Sequence, residues 1–124
     1  EQLILSLSQN GSNVKTPKTV ESVLFKNAVK AMTDNINDTI SVDELASELS
    51  ISTSGLKRLF SKYAGMSVHK YFLRLKMKAA TAMLQRGMTV SEVSDELGFS
   101  SQGYFSAAYK RETGNNPSKV QQNP

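Results

Sequence analysis

The sequence predicts an all-α protein in which one helical-hairpin pattern occurs twice, once on each side of a single long helix. Three observations support this. Residues 67–86, SVHKYFLRLKMKAATAMLQR, contain no Gly or Pro and repeat apolar residues with helical spacing. The stretches flanking them match each other in register. No segment shows the alternation expected of a strand.

The long helix is the element from which the others are placed. Ser67 is a good N-cap, and Val68, Tyr71, Phe72, Leu75, Ala79, Ala82 and Met83 recur at helical intervals. Gly87 can enter the left-handed region and end the helix. Such a helix is a rod of about 30 Å.

The first copy of the repeated pattern is SVDELASELSI, residues 41–51, then LKRLF, residues 56–60, and Gly65. The second is TVSEVSDELGF, residues 89–99, then FSAAY, residues 105–109, and Gly114. The offset is 48 residues before the turn (Glu44 to Glu92) and 49 after it (Leu56 to Phe105), so the second turn holds one extra residue. An internal repeat outranks other signals in deciding architecture.

Ser41 with Glu44, and Thr89 with Glu92, form capping boxes, in which hydroxyl and carboxylate each satisfy a backbone donor of the first turn. Each short helix (42–49; 90–97) carries a small residue at its middle, Ala46 or Ser94, which lets a second helix cross closely. Ser50 or Gly98 marks a sharp turn, and the next helix starts at a hydroxyl cap, Ser52 or one of Ser100 and Ser101. Helix, tight turn and helix at these offsets make a helix-turn-helix unit, whose second helix enters the major groove of DNA. The expected fold is therefore two helix-turn-helix subdomains joined by the long central helix.

Ahead of the first copy, residues 20–34 form a helix whose Val20, Leu24, Ala28, Ala31 and Met32 face the first unit; NINDT, residues 35–39, ends it. Residues 1–9, EQLILSLSQ, read as a short amphipathic helix, and residues 10–18 as a linker of turn-forming residues. The expected organisation is a tail of an upstream domain plus linker at 1–19, and a DNA-reading domain at 20–124. That domain divides into a first unit at 20–66, the helix at 67–86 and a second unit at 87–121.

Composition narrows the function classes. A hydrophobic fraction of 39% with three Pro and seven Gly belongs to a folded chain of 124 residues. No apolar run nears the roughly 18 residues of a membrane span, so no membrane partner is expected. With no start methionine or signal peptide, the chain reads as part of a longer protein. The absence of Cys excludes disulfides, thiolate nucleophiles and the usual zinc sites, and agrees with a reducing, cytoplasmic setting. The net charge of +4 is mild, but its distribution is not: between Leu49 and Ser91 no acid occurs, while Lys57, Arg58, Lys62, Lys70, Arg74, Lys76, Lys78 and Arg86 all fall there. An acid-free span of this length favours a polyanionic partner over a merely solvated face.

The run from Gly98 to Pro117, GFSSQGYFSAAYKRETGNNP, resembles the signature of the AraC-type family (AraC/XylS) of bacterial transcription regulators. Leu45 and Ala46, residues 56–60, Gly65 to Ser67, Tyr71, Ala80 and Leu84 are also similar, and the resemblance spans residues 20–121. It implies a domain of about seven helices that places two recognition helices in successive major-groove segments on one face of DNA. A rod of about 30 Å agrees with the roughly 34 to 36 Å that separates equivalent groove positions. The chain departs from the family at Ala107, where a basic residue is common, and at Gly103, where a larger polar one is. Lys76 stands where Arg is usual, and Val120 and Gln121 where a Tyr-Arg pair is common.

On the first recognition helix, Ser54, Lys57, Arg58 and Ser61 share the exposed face by their spacing. Arg58 is the candidate for a bidentate contact to guanine O6 and N7, and Lys57 for a base edge or a phosphate. On the second, Gln102 is a candidate adenine reader and Ser106 shares its face, whereas Ala107 offers only a methyl group. The expected phosphate contacts are Ser41, Lys62, Lys76, Thr89, Ser101 and Lys110. These choices make an asymmetric reader, the first unit setting sequence and the second supplying backbone contacts and fit to DNA shape.

Rival readings are weaker. The only histidine, His69, has no second metal-ligating partner of its kind, and the clusters Glu44 with Glu48 and Glu92 with Asp95 and Glu96 are explained as caps and solvated faces. No enzyme activity, cofactor or metal is expected. The runner-up is a helical module that contacts the transcription machinery without reading DNA. The expected partners are double-stranded DNA, RNA polymerase, and an effector or signal acting through a missing N-terminal domain. The expected output is activation rather than repression, and the isolated fragment is expected to be monomeric.

Overall fold

The computed structural model describes residues 17–121, with side chains from Val20 onward. The amphipathic segment expected at 1–9 and most of the linker lie outside the described residues. Among the described residues seven helices follow one another: α1 (Pro17–Asp34), α2 (Val42–Glu48), α3 (Thr53–Ala64), α4 (Val68–Gln85), α5 (Val90–Glu96), α6 (Gln102–Thr113) and α7 (Pro117–Gln121). No strand occurs among the described residues. α1 begins at Pro17, inside the stretch read as linker.

Both capping boxes form. Ser41 Oγ accepts from Glu44 N at 3.0 Å while Glu44 Oε1 accepts from Ser41 N at 2.8 Å; Thr89 and Glu92 repeat this at 3.1 and 2.8 Å. At the far end of each short helix a backbone bond closes the turn, Ile51 N to Ala46 O and Phe99 N to Ser94 O, both 3.0 Å. The turn then passes through a left-handed residue, Ser50 at φ 57° or Gly98 at φ 76°. A Cβ on Gly98 would lie 2.8 Å from Asn37 O, so the second turn needs glycine for contact as well as for conformation.

The two units have separate cores, and α4 supplies both. α1, α2, α3 and the start of α4 enclose Ala28, Met32, Leu45, Leu56, Phe60, Val68 and Phe72. Phe25 and Tyr71 close around Phe60, with ring centroids 4.9 and 5.3 Å from it. The later part of α4 joins α5 and α6 around Leu73, Met77, Ala80, Leu84, Val93, Leu97, Phe105 and Tyr109, and Val120 of α7 packs against that core. The central helix therefore buries a stripe that shifts along its length. Val68 and Phe72 are buried as expected, and Tyr71, Leu75, Ala79 and Met83 pack half-buried against the two cores; only Ala82 is exposed, and Leu73, Met77, Ala80 and Leu84 are buried in addition where the second unit packs.

α1 shows a smaller departure. Val20, expected on the packed face, is exposed, as is Val23, and full burial begins only at Ala28.

The mid-helix small residues behave alike except for one atom. Ala46 and Ser94 are both buried at the crossing with the following helix, but Ser94 Oγ finds no hydrogen-bond partner among the described residues. A buried hydroxyl without a partner costs about 1 to 3 kcal/mol. Ser94→Ala, which copies the first unit's residue, should raise stability by about 1 kcal/mol. Urea unfolding of both proteins checks this, and a lowered midpoint would show that the hydroxyl is satisfied in solution.

Candidate nucleic-acid interface

The outward faces of α3 and α6 follow from what each helix buries. α3 starts at Ser52, whose Oγ accepts from Gly55 N at 2.9 Å, and ends at Gly65 with φ 68°. Leu56, Leu59 and Phe60 are buried, which turns Ser54, Lys57, Arg58 and Ser61 outward, and all four are exposed. Thr53 Oγ1 donates to Asp43 Oδ1 at 2.7 Å and braces the start of α3 against α2. α6 starts at Ser101, whose Oγ accepts from Tyr104 N at 3.0 Å, so the extra residue of the second turn is Ser100. Phe105, Ala108 and Tyr109 are buried; Gln102, Gly103, Ala107 and Lys110 are exposed, and Ser106 is half-buried at the edge of that face.

Ser41, Thr89 and Ser101 are exposed N-caps, with the side-chain oxygen of each already accepting a backbone N–H. Lys62 lies on the flank of α3 next to α1, where its Nζ donates to Glu21 Oε1 at 2.7 Å. That hydrogen bond lowers the Glu21 pKa, burial opposing it and the charge of Lys62, a hydrogen bond from Tyr63 and the charge of Arg58 adding to it. Lys57 lies on the opposite flank, facing the start of α4.

Lys76 is corrected by the structure. Expected at a phosphate, it is only 6% exposed, and its ammonium donates to Ile36 O at 2.9 Å, Asp38 O at 2.8 Å and Leu97 O. All three of its donors are used, which leaves none for DNA. The charge rests over the rings of Phe72 and Phe99, 4.9 and 5.5 Å from their centroids. Burial pushes the Lys76 pKa down, and the Asp38 carboxylate partly restores it.

A second cluster ties α6 to α4. The Glu112 side chain, 5% exposed, faces Arg111 Nε at 3.3 Å, Lys70 Nζ at 3.6 Å and Arg74 Nε at 3.9 Å. Burial acts to raise the Glu112 pKa, but the Arg111 hydrogen bond and the charges of Lys70 and Arg111 outweigh it and hold the carboxyl below the ordinary range.

His69, on the first turn of α4, borders two depressions, one beside α3 and one beside the start of α6. A hollow lined by Lys57, Ser61, Ser67 and His69 connects α3 with the first turn of α4. The second depression is a cleft of ≈ 250 Å³ bordered by Phe72, Leu73, Phe99, Ser100 and Tyr104, which reaches the start of α6. Tyr104 is 51% exposed there, its ring 5.9 Å from Phe99. Residue patterning did not single out Tyr104, Glu112 or the Thr53 to Asp43 brace. An exposed tyrosine one position before a buried phenylalanine was the available signal for the first; the other two depend on which helices meet.

Two exposed helices, each capped by a serine and each packed with its unit on one central helix, define a double helix-turn-helix domain. A family model described as a helix-turn-helix domain matches residues 45–123. Over 120 residues the chain is 27% identical to the HTH-type transcriptional activator RhaR of Escherichia coli (strain K12), covering 95% of this chain and 43% of that protein. The chain thus spans less than half the length of such curated relatives. A transcriptional regulator with an AraC-type DNA-binding domain from Chromobacterium violaceum matches in structure with a TM-score of 0.78 and 29% identity, over 83% of this chain and 93% of that one. The DNA-binding domain of AdpA, solved with a target DNA, matches with a TM-score of 0.73 and 19% identity, over 78% and 88%, a likeness of fold. The chain belongs to the helix-turn-helix family, in its AraC-type branch, as the DNA-binding domain of a transcription regulator.

Two outcomes test the anchoring clusters. Lys76→Met keeps the aliphatic stem but deprives three carbonyls of their donor, so it should destabilise the fold by roughly 3 kcal/mol in urea unfolding. An unchanged midpoint would mean that the ammonium is not the anchor. Because its folded pKa is depressed, Glu112 contributes stability that is present above its unfolded value and lost as pH falls through the folded one. Glu112→Gln should therefore flatten the acid side of a stability-against-pH curve, and equal slopes in both proteins would count against the cluster.

Proposed function

We propose that this domain reads a two-part DNA site in the cytoplasm, inserting α3 and α6 into successive major-groove segments, and that it serves a transcription activator. The observation that carries this is the pair of exposed, N-capped helices α3 and α6, each the second helix of a helix-turn-helix unit packed on α4. The match to an activator over nearly the whole chain supports the output. Contact with RNA polymerase, and control by an effector through a further domain, belong to the same proposal. The domain is a binding module with no catalytic role.

Within the site, Arg58 and Lys57 carry base recognition in the first unit, with Ser54 and Ser61 beside them. In the second, Gln102 is the reader, Ser106 stands at the edge, and Ser101 and Lys110 contact phosphate along with Ser41 and Thr89. Lys62 joins the phosphate set by exchanging its exposed Glu21 partner, a pair of little net strength. The recognition remains asymmetric, because exposed Gly103 and Ala107 give α6 no long side chain at the centre of its face.

In vitro selection of bound duplexes from a random pool tests this directly. The selected site should have two parts about one helical turn apart, with most of its sequence information in the part read by α3. Arg58→Ala should lose about 1 to 3 kcal/mol of discrimination at one base pair within that part. Equal information in both parts would overturn the asymmetry, and no enrichment at all would overturn sequence-specific reading.

A further inference from the structure

We infer that the cleft between the two units is a seat for the sugar–phosphate backbone that separates the two major-groove segments, with His69 at its centre donating to a phosphate. This rests on the reading of α3 and α6 as the recognition helices. His69 is exposed on the first turn of α4 and borders both the hollow beside Lys57 and Ser61 and the cleft beside Ser100 and Tyr104. Its side chain makes no hydrogen bond or ion pair with another described residue. A duplex that enters both recognition faces passes the surface joining them, and the part presented there is the backbone flanking the minor groove.

The chemistry of the cleft fits that occupant. Its walls are apolar, with Phe72, Leu73 and Phe99 offering surface to the carbon face of a deoxyribose. His69 stands at its edge as a donor, and the adjoining hollow beside α3 adds the Lys57 ammonium and the Ser67 hydroxyl. No carboxylate lines the cleft or the hollow, and the buried charge of Lys76 lies under the floor. An apolar wall beneath a rim of donors matches a polymer that alternates sugars with anionic phosphates. Backbone contacts at this point carry no base information; they fix the register in which both helices engage.

The test uses a duplex recovered by selection, with phosphates replaced singly by neutral methylphosphonates along the stretch between the two half-sites. One or two central replacements should weaken the wild-type protein about tenfold, the scale of a lost hydrogen bond to a charged group. The same replacements should weaken His69→Ala far less, because that contact is already gone, and His69→Gln, which retains an N–H donor, should fall between. Central phosphates that are insensitive in the wild type, or equally sensitive in His69→Ala, would overturn the inference. If the alanine variant folds poorly, the wild-type phosphate scan decides alone. Successful selection with an insensitive centre sinks only this seat, whereas failure of selection sinks the reading beneath it.

Discussion

The relative placement of the two DNA-facing helices depends on one buried ammonium. Lys76 leaves the middle of α4 and donates to two carbonyls of the loop after α1 and to the carbonyl of Leu97, which caps the end of α5. Each of those oxygens would otherwise be a backbone acceptor with no helical partner, and a cation at a helix C-terminus is favoured by the exposed carbonyl dipoles. One side chain thus joins the first unit, the central helix and the second unit. Around it, Asn37 Nδ2 donates to Glu96 Oε2 at 3.0 Å and Thr39 Oγ1 to Gly98 O at 3.3 Å, so the same loop grips the same helix end.

This joint is one place where the two copies of one motif differ. In the first turn Ser50 is exposed and adopts a left-handed conformation at φ 57°. The second turn lies against Asn37, where any Cβ would collide with a backbone carbonyl, and it is glycine. The extra residue, Ser100, lies beside the cleft between the units. The repeats differ at this junction and on the outward faces, where Lys57 and Arg58 correspond to Ser106 and Ala107, as well as within each core, where Leu56, Leu59 and Phe60 correspond to Phe105, Ala108 and Tyr109. The capping boxes and the closing backbone bonds, which serve each unit alone, are the same in both.

The long acid-free span is sorted by the fold into cations with different work. Lys57 and Arg58 stand on the exposed face of α3, Lys62 leans on Glu21, and Lys70 and Arg74 gather at Glu112 together with Arg111. Lys76 is removed from the surface altogether. Glu21 and Glu112 lie outside the acid-free span in sequence, yet they reach its cations in space and set which positive charges face outward toward a polyanion. Attraction of a polyanion draws on all exposed cations, whereas register requires side chains held in fixed directions.

Sequence by itself determined the helices, their caps, the duplicated unit and the outward faces of α3 and α6, because these follow from short-range hydrogen bonding and from periodicity along one chain. Ser41 with Glu44 and Thr89 with Glu92 are legible three residues apart; Leu56, Leu59 and Phe60 reveal the buried side of α3 by spacing alone. Only the tertiary structure decided where the charged side chains between those faces point. Lys76 has the same local pattern as its exposed neighbours Arg74 and Lys78, and its burial arises from carbonyls at Ile36, Asp38 and Leu97, tens of residues away. The partners of Glu112 and the deeper burial of Leu73, Met77, Ala80 and Leu84 than of Leu75, Ala79 and Met83 have the same origin: a rod packed on two sides takes its most buried row from the angle at which each unit meets it.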